Sequence, residues 1–297
     1  MLTIDTDIYS PQTAADYIAL CESAYEKRVT DVANYISDRR DVKIVALAGA
    51  TCSGKTTTAL KLTDKLDRIG IRTRILSIDD FYRDDVREDE EKDYESPSSL
   101  DLELFNSCTE KLLSGKKTYL PTFDFKIGRR GALTEYTPHD NDIYIFEGIQ
   151  ALYPEITAQL SAFPFVSVFT GIFDDVMLNG TLFKREEIRL ARRLVRDAMF
   201  RSTGVEETFA LWGGVRENEE KNIFPAAEIA DYKISSYLPY ETMLIGAYLV
   251  PLLRSLPQTS RYTDISCDLS ERILKVTSQY FTRDLVPFGS LLREFIG

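Results

Sequence analysis

Residues Gly49, Ala50, Thr51, Cys52, Ser53, Gly54, Lys55 and Thr56 fit the pattern G-x-x-x-x-G-K-[ST] at every fixed position. Glycines at the two ends let the backbone curl, so that successive N–H groups point at phosphate oxygens. Lys55 brings positive charge to the β- and γ-phosphates, and the Thr56 hydroxyl is a Mg²⁺ ligand. The run 43–48 reads as a short buried strand, and 56–68 reads as a helix with Leu60, Leu62, Leu66 and Ile69 available for burial. Bound phosphates then sit at a helix N-terminus, where the helix dipole favours them. The whole stretch from Gly49 to Thr57 is the expected nucleotide cradle. Cys52 lies within it, where a thiol can be acidified; an inert small side chain is the favoured reading.

Transfer of a phosphoryl group to an alcohol needs three more things. These are a cation on the phosphates, a carboxylate to orient and deprotonate the hydroxyl, and positive charge on the migrating group. Strand 73–78 ends in Asp79 and Asp80, and strand 142–146 ends in Glu147. Ligands of open α/β sheets bind beyond such carboxyl ends. Asp80 serves equally well as a turn or cap residue. The segment 184–201 reads as a very basic helix. Arg189, Arg193 and Arg196 share one face there, Arg192 lies beside it, and Arg201 follows one turn on. Asp197 is placed to pair with Arg193 or Arg201. So many arginines in an otherwise acidic chain suggest a lid that carries them to phosphate.

The elements that must position these groups alternate between strand and helix. Further strands are expected at 165–169 and 231–234, and further helices at 99–113 and 239–253. The pattern indicates an α/β fold with a mostly parallel sheet flanked by helices. Residues 1–40 read as a helical extension packed on the core. Residues 41–297 read as one P-loop kinase domain, with a lid at about 184–222.

The chain has 297 residues, with 44% hydrophobic and 28% charged, which suits a globular protein. Its net charge of −11 disfavours general binding to nucleic acid or an anionic membrane. There is no apolar run of membrane-spanning length and no signal-peptide pattern, so a cytoplasmic location is expected. The four cysteines fit neither a zinc site nor a redox pair. His139 is the sole histidine, which argues against a Ser-His-Asp triad or a histidine metal cluster.

The motifs 49–56, 77–82 (Ser-Ile-Asp-Asp-Phe-Tyr), 121–125 (Pro-Thr-Phe-Asp-Phe), 146–149 (Phe-Glu-Gly-Ile) and 192–197 (Arg-Arg-Leu-Val-Arg-Asp) occur in this order. Together they resemble the uridine kinase and phosphoribulokinase family of P-loop kinases. Three further runs resemble a longer bacterial group of uridine-kinase-like proteins, whose kinase core follows TGS and threonyl-tRNA-synthetase-like domains. These are 125–130 (Phe-Lys-Ile-Gly-Arg-Arg), 218–225 (Asn-Glu-Glu-Lys-Asn-Ile-Phe-Pro) and 291–297 (Leu-Leu-Arg-Glu-Phe-Ile-Gly). The likeness covers roughly residues 40 to 297.

The resemblance implies roles. Asp79 is the base that accepts the nucleoside 5′-hydroxyl proton and stands near the metal. Thr56 and Glu147 are the Mg²⁺ ligands, and Lys55, Arg196 and Arg201 act on the phosphates. Glu95, Phe123, Arg130 and Arg193 are the acceptor-side residues, with Glu95 placed for the ribose hydroxyls. The departures concern the base. Phe123 stands where the family has a tyrosine, and Gly128 where it has a histidine. Thr203 replaces a second lid arginine, and Leu211 falls near an expected glutamine. An apolar Phe123 can still stack on a base. The implied activity is transfer of the γ-phosphate of ATP or GTP to a nucleoside 5′-hydroxyl, with a small-molecule acceptor as partner and a homo-oligomer left open. The alternatives are a kinase of a sugar phosphate or pantothenate-like acid, since fold does not fix substrate, and a weakly catalytic nucleotide-binding regulatory module.

Overall fold

The computed structural model describes residues 1–4, 10–39, 41–84, 96–124 and 127–297. The chain opens with a short strand, β1 (Leu2–Ile4), and a long helix, α1 (Pro11–Asp38). Ser10 caps α1 through a capping box with Thr13, and Pro11 fills the first helical position, where a missing N–H costs nothing. Ala14, Ile18, Cys21, Tyr25, Val29, Val32, Ala33 and Ile36 recur every three or four residues and are all buried. The N-terminal segment therefore shares the main hydrophobic cluster with the sheet.

Next come β2 (Ile44–Ala48), the loop, α2 (Lys55–Arg68) and β3 (Thr73–Ser77). Helix α2 buries Thr58, Ala59, Leu62 and Leu66. Leu60 and Ile69 are exposed, contrary to expectation. Leu60 lies off that stripe at 100° per residue, and Ile69 is already the C-cap. A short 3₁₀ turn, Ile78–Phe81, follows β3 and carries Asp79 and Asp80. Helix α3 (Leu102–Leu113) leads to four short strands: β4 (Thr118–Leu120), β5 (Phe123–Asp124), β6 (Arg129–Arg130) and β7 (Thr134–Tyr136). They pair as β4 with β7 and β5 with β6.

The core resumes with β8 (Ile143–Glu147), α4 (Pro154–Leu160) and β9 (Phe165–Gly171). A hairpin of β10 (Val176–Leu178) and β11 (Thr181–Phe183) takes β1 as its third strand. The basic region is helix α5 (Arg185–Arg196), which runs into a π-helical turn, Asp197–Arg201. Helix α6 (Val205–Asn218), a second π turn (Glu219–Ile223) and α7 (Phe224–Ile229) follow. The chain then passes through β12 (Tyr232–Ser235), α8 (Glu241–Arg254), α9 (Thr263–Val276) and α10 (Arg293–Ile296).

The central sheet is five-stranded and wholly parallel, in the order β12-β9-β2-β8-β3. Its three central strands, β9, β2 and β8, read as near-continuous apolar runs because helices cover both faces. The register sets Leu47 opposite Glu147, and Glu147 opposite Ser77. The loop after β2, the carboxylate ending β8 and the acidic turn after β3 therefore emerge side by side. Among the described residues, no helix is long and apolar enough to cross a membrane.

Candidate active site

The loop between β2 and α2 is held from several directions. Lys55 Nζ donates to the Ala50 carbonyl oxygen at 3.2 Å, Arg189 Nη1 to that of Thr51 at 3.3 Å and Arg192 Nη1 to that of Cys52 at 3.0 Å. Three successive carbonyls are thus bound by cations. Gly49 is required by space, since a Cβ there would lie 2.2 Å from the Thr170 carbonyl oxygen. Gly54 is required by conformation, with φ of +79°. Cys52 also adopts a left-handed backbone, and its side chain is buried in the main hydrophobic cluster, as an inert loop residue would be.

Arg189 and Arg192 are the largest fully buried side chains among the described residues. Arg189 pairs with Glu219, with Nη2 to Oε2 at 2.6 Å. Arg192 pairs with Glu241 at 2.6 and 3.1 Å and donates to the Ser236 carbonyl oxygen at 2.8 Å. So Arg189, which the sequence places on the phosphate-facing side of a lid helix, instead braces the loop from behind. A guanidinium inside the core is tolerable only when its donors are met, and here carboxylates and carbonyls meet them.

In front of the loop, Thr56 Oγ1 approaches Glu147 Oε1 at 3.5 Å. Burial, with Asp79 and Glu294 adding like charge, pushes the Glu147 carboxyl up to about 7, against the pull of Lys55 and the Thr56 hydroxyl. Burial likewise raises Asp79, and Asp80 adds to this, while Lys55, Tyr82 and Arg201 oppose it. Asp79 Oδ1 is shielded from solvent and has no hydrogen-bond partner among the described residues. Gly148 allows this crowding: a Cβ there would lie 2.8 Å from Ile78 Cβ and 3.7 Å from Asp79 Oδ1. Asp80 turns the other way and accepts from the Phe123 N–H at 3.0 Å. It is a scaffold residue that ties β5 to the acidic turn.

Arg193, Arg196 and Arg201 gather round one buried carboxylate, Asp197. Arg196 donates to its Oδ1 at 2.8 and 3.0 Å and Arg193 Nε to Oδ2 at 3.3 Å, while Arg201 lies 3.8 Å away with its side chain 59% exposed. The two remaining acceptor-side residues that lie within the described structure are both engaged. Phe123 is only 8% exposed and packs edge-on against Tyr82, with ring centres 5.5 Å apart. Arg130 donates to Asp101 Oδ2 at 3.1 Å and to the Tyr82 carbonyl oxygen at 3.0 Å. Glu95 lies outside the described residues. Its neighbour Ser96 is anchored by Gln150, a fully buried side chain whose Nε2 donates to the Ser96 carbonyl oxygen at 2.9 Å.

A sequence signature of the phosphoribulokinase / uridine kinase family matches residues 44–242. The chain belongs to that family. Among similar proteins, the uridine kinase of Lactobacillus helveticus is 30% identical over 193 residues, covering 63% of this chain and 83% of that enzyme. The uridine kinase of Saccharomyces cerevisiae is 28% identical over 200 residues, covering 65% of this chain and only 36% of the yeast protein. The uridine-cytidine kinase B of Dictyostelium discoideum is 29% identical, over 65% of this chain and 71% of its own length. A solved structure from Silicibacter sp. TM1040, described as a candidate fructose transport system kinase, shares the fold with a TM-score of 0.50. It is 18% identical and covers 69% of this chain and 98% of its own.

For a family member, the site contains residues that motif reading passes over. Gln150 directly follows the glutamate motif and could have been flagged as a polar residue in an apolar run. The bracing role of Arg189 and Arg192 has no local signal, because their partners lie 30 and 49 residues away.

Proposed function

We propose that the protein is a kinase that transfers the γ-phosphate of ATP or GTP to the 5′-hydroxyl of a nucleoside. The observation that carries the phosphoryl-transfer part of this reading is the meeting of Thr56 and Glu147 at 3.5 Å, with Asp79 just past the adjoining strand end; the nucleoside acceptor is supported by the likeness to uridine and uridine-cytidine kinases. The oxygen-only donor set of Thr56, Glu147 and Asp79 suits Mg²⁺. Burial raises both carboxyls, and like charge adds to it, from Asp79 at Glu147 and from Asp80 at Asp79, which a cation would relieve. When bound, Mg²⁺ neutralises charge on the β- and γ-phosphates.

The chain's own residues perform the rest. The loop 49–57 holds the phosphates, and Lys55 offsets their charge. Asp79 takes the proton of the acceptor hydroxyl as its oxygen bonds to the γ-phosphorus. The bond from that phosphorus to the bridging oxygen breaks, and the nucleoside diphosphate leaves. Arg196 and Arg201 stabilise charge on the transferring group, and Arg193 and Glu95 hold the acceptor. Within the proposed lid at about 184–222, α5 is largely buried, and so are Asp197 and Glu219 in the two π turns. Residues 1–40 serve as a packed extension of a kinase domain that occupies 41–297.

A smaller hydroxyl compound is the second reading, favoured by the burial of Phe123, which leaves little ring face for a base. Initial rates with Mg-ATP and Mg-GTP across uridine, cytidine, adenosine, guanosine, a 2′-deoxynucleoside and a panel of sugars and hydroxy acids decide between them. The proposal expects turnover on a ribonucleoside, weak discrimination between uridine and cytidine or a preferred base that is not a pyrimidine, and a larger loss on removing a ribose hydroxyl than on changing the base. Turnover confined to non-nucleosides would overturn it.

A further inference from the structure

Three consecutive threonines at the start of α2 face three different partners. Thr56 reaches Glu147. Thr58 Oγ1 donates to the Gly54 carbonyl oxygen at 2.7 Å and is hydrogen-bonded to the Tyr25 hydroxyl at 2.7 Å. Between them, Thr57 Oγ1 donates to Glu294 Oε2 at 2.8 Å, across 237 residues of sequence.

Glu294 sits on a firmly packed segment. Leu291, Leu292, Phe295 and Ile296 are fully buried. Leu291 lies directly against the phosphate loop, since a Cβ on Gly54 would be 2.2 Å from Leu291 Cδ1. Phe295 lies beneath the Arg192 guanidinium at 5.0 Å, the same group that holds the Cys52 carbonyl. Arg293 staples the segment by donating to the carbonyl oxygens of Val286 at 2.6 Å and Arg283 at 3.0 Å. Ser290 accepts from the Leu292 N–H at 3.1 Å and is hydrogen-bonded to the Tyr240 hydroxyl at 3.2 Å. All these C-terminal residues lie beyond residue 242, where the family match ends.

We infer that this C-terminal segment is a working part of the nucleotide site and that Glu294 is a positioning residue for the phosphate loop. It rests on the P-loop part of the function proposed above. Leu291 and Phe295 back the loop. Glu294 holds the Thr57 hydroxyl, which fixes the rotation of the first turn of α2. That turn presents its unpaired N–H groups to phosphate. The opposite possibility is that a carboxylate near the phosphates simply repels nucleotide. Charge and hydrogen bonding are separable here, because glutamine keeps the acceptor and loses the charge.

The test is the dissociation constant of MgADP, by titration calorimetry on the full chain, together with the melting temperature. Glu294→Ala is expected to weaken binding about tenfold with the melting temperature near that of the parent. Glu294→Gln is expected to stay within about threefold of the parent. Leu291→Ala should weaken binding too, with a lower melting temperature. Binding in Glu294→Ala that is unchanged or tighter overturns the inference, and so does a Glu294→Gln as weak as the alanine variant. If the parent itself binds no MgADP, the P-loop reading fails and the inference goes with it. If the parent binds and Glu294→Ala binds equally well, only the inference fails.

Discussion

Replacing Arg192 by methionine separates what the buried arginine does for stability from what it does for the nucleotide. Arg192 and Glu241 have side chains 0% and 1% exposed, so removing the cation leaves a carboxylate in the core without its partner. Breaking a buried pair in this way costs about 3–5 kcal/mol. The Ser236 and Cys52 carbonyls also lose their donor, at roughly 1 kcal/mol each. For a chain of this size the melting temperature should fall on the order of 10 °C. Replacing both partners, as in Arg192→Met with Glu241→Met, removes the stranded charge, and an apolar pair of similar volume is often neutral or better. The double variant should therefore recover most of the stability. It does not restore the donor to the Cys52 carbonyl, so its affinity for MgADP should stay about tenfold below the parent. Thermal unfolding and calorimetric titration of the three proteins measure both effects. A single variant that loses less than about 1 kcal/mol, or a double variant that binds MgADP like the parent, refutes the reasoning.

Asp79→Asn should lower kcat by about 10²–10⁴-fold, the usual value of a positioned base, with nucleotide affinity nearly unchanged. Asp80→Asn should act mainly through the Phe123 backbone contact, so a larger kcat loss there would mean the base is misassigned. Glu147 has a folded pKa raised from 4.5 to about 7, so the folded state binds the extra proton between those values. Stability without Mg²⁺ should therefore fall as pH rises through that window and level off above it. Glu147→Gln should remove that part of the slope, and parallel melting-temperature profiles for the two proteins from pH 5 to 8 would contradict the assignment. Gly54→Ala forces a left-handed alanine and drives its Cβ into Leu291, so it should cost more than about 2 kcal/mol. Adding Leu291→Ala should return part of that loss in chemical denaturation.

The local chemistry was legible because each piece is contiguous. A phosphate loop needs glycines at fixed offsets and a following helix, so 49–56 could be read without knowing what surrounds it. The glutamate ending β8 was legible because a central strand of a covered parallel sheet is an apolar run whose end stands out, and the acidic turn after β3 because two adjacent aspartates follow the strand closely. The roles of individual polar residues were less so. Asp80 read equally as base or scaffold, and only its bond to the Phe123 N–H, 43 residues away, distinguishes the two. Phe123 reads as a stacking platform in sequence, yet its packing on Tyr82 leaves it buried.

The basic helix shows the division most clearly. Composition and spacing by themselves determined that 184–201 is helical and rich in arginine, and with the strand ends they determined a P-loop α/β kinase fold. They could not sort the arginines, because helical periodicity says which residues share a face but not what that face meets. Tertiary packing sent Arg189 and Arg192 inward to Glu219, Glu241 and the loop carbonyls, paired Arg196 with Asp197 and left Arg201 exposed beside them. It also brought Leu291 and Glu294 onto Gly54 and Thr57. Such contacts join residues more than 200 positions apart, and the folded core, not any local pattern of residue types, selects their partners.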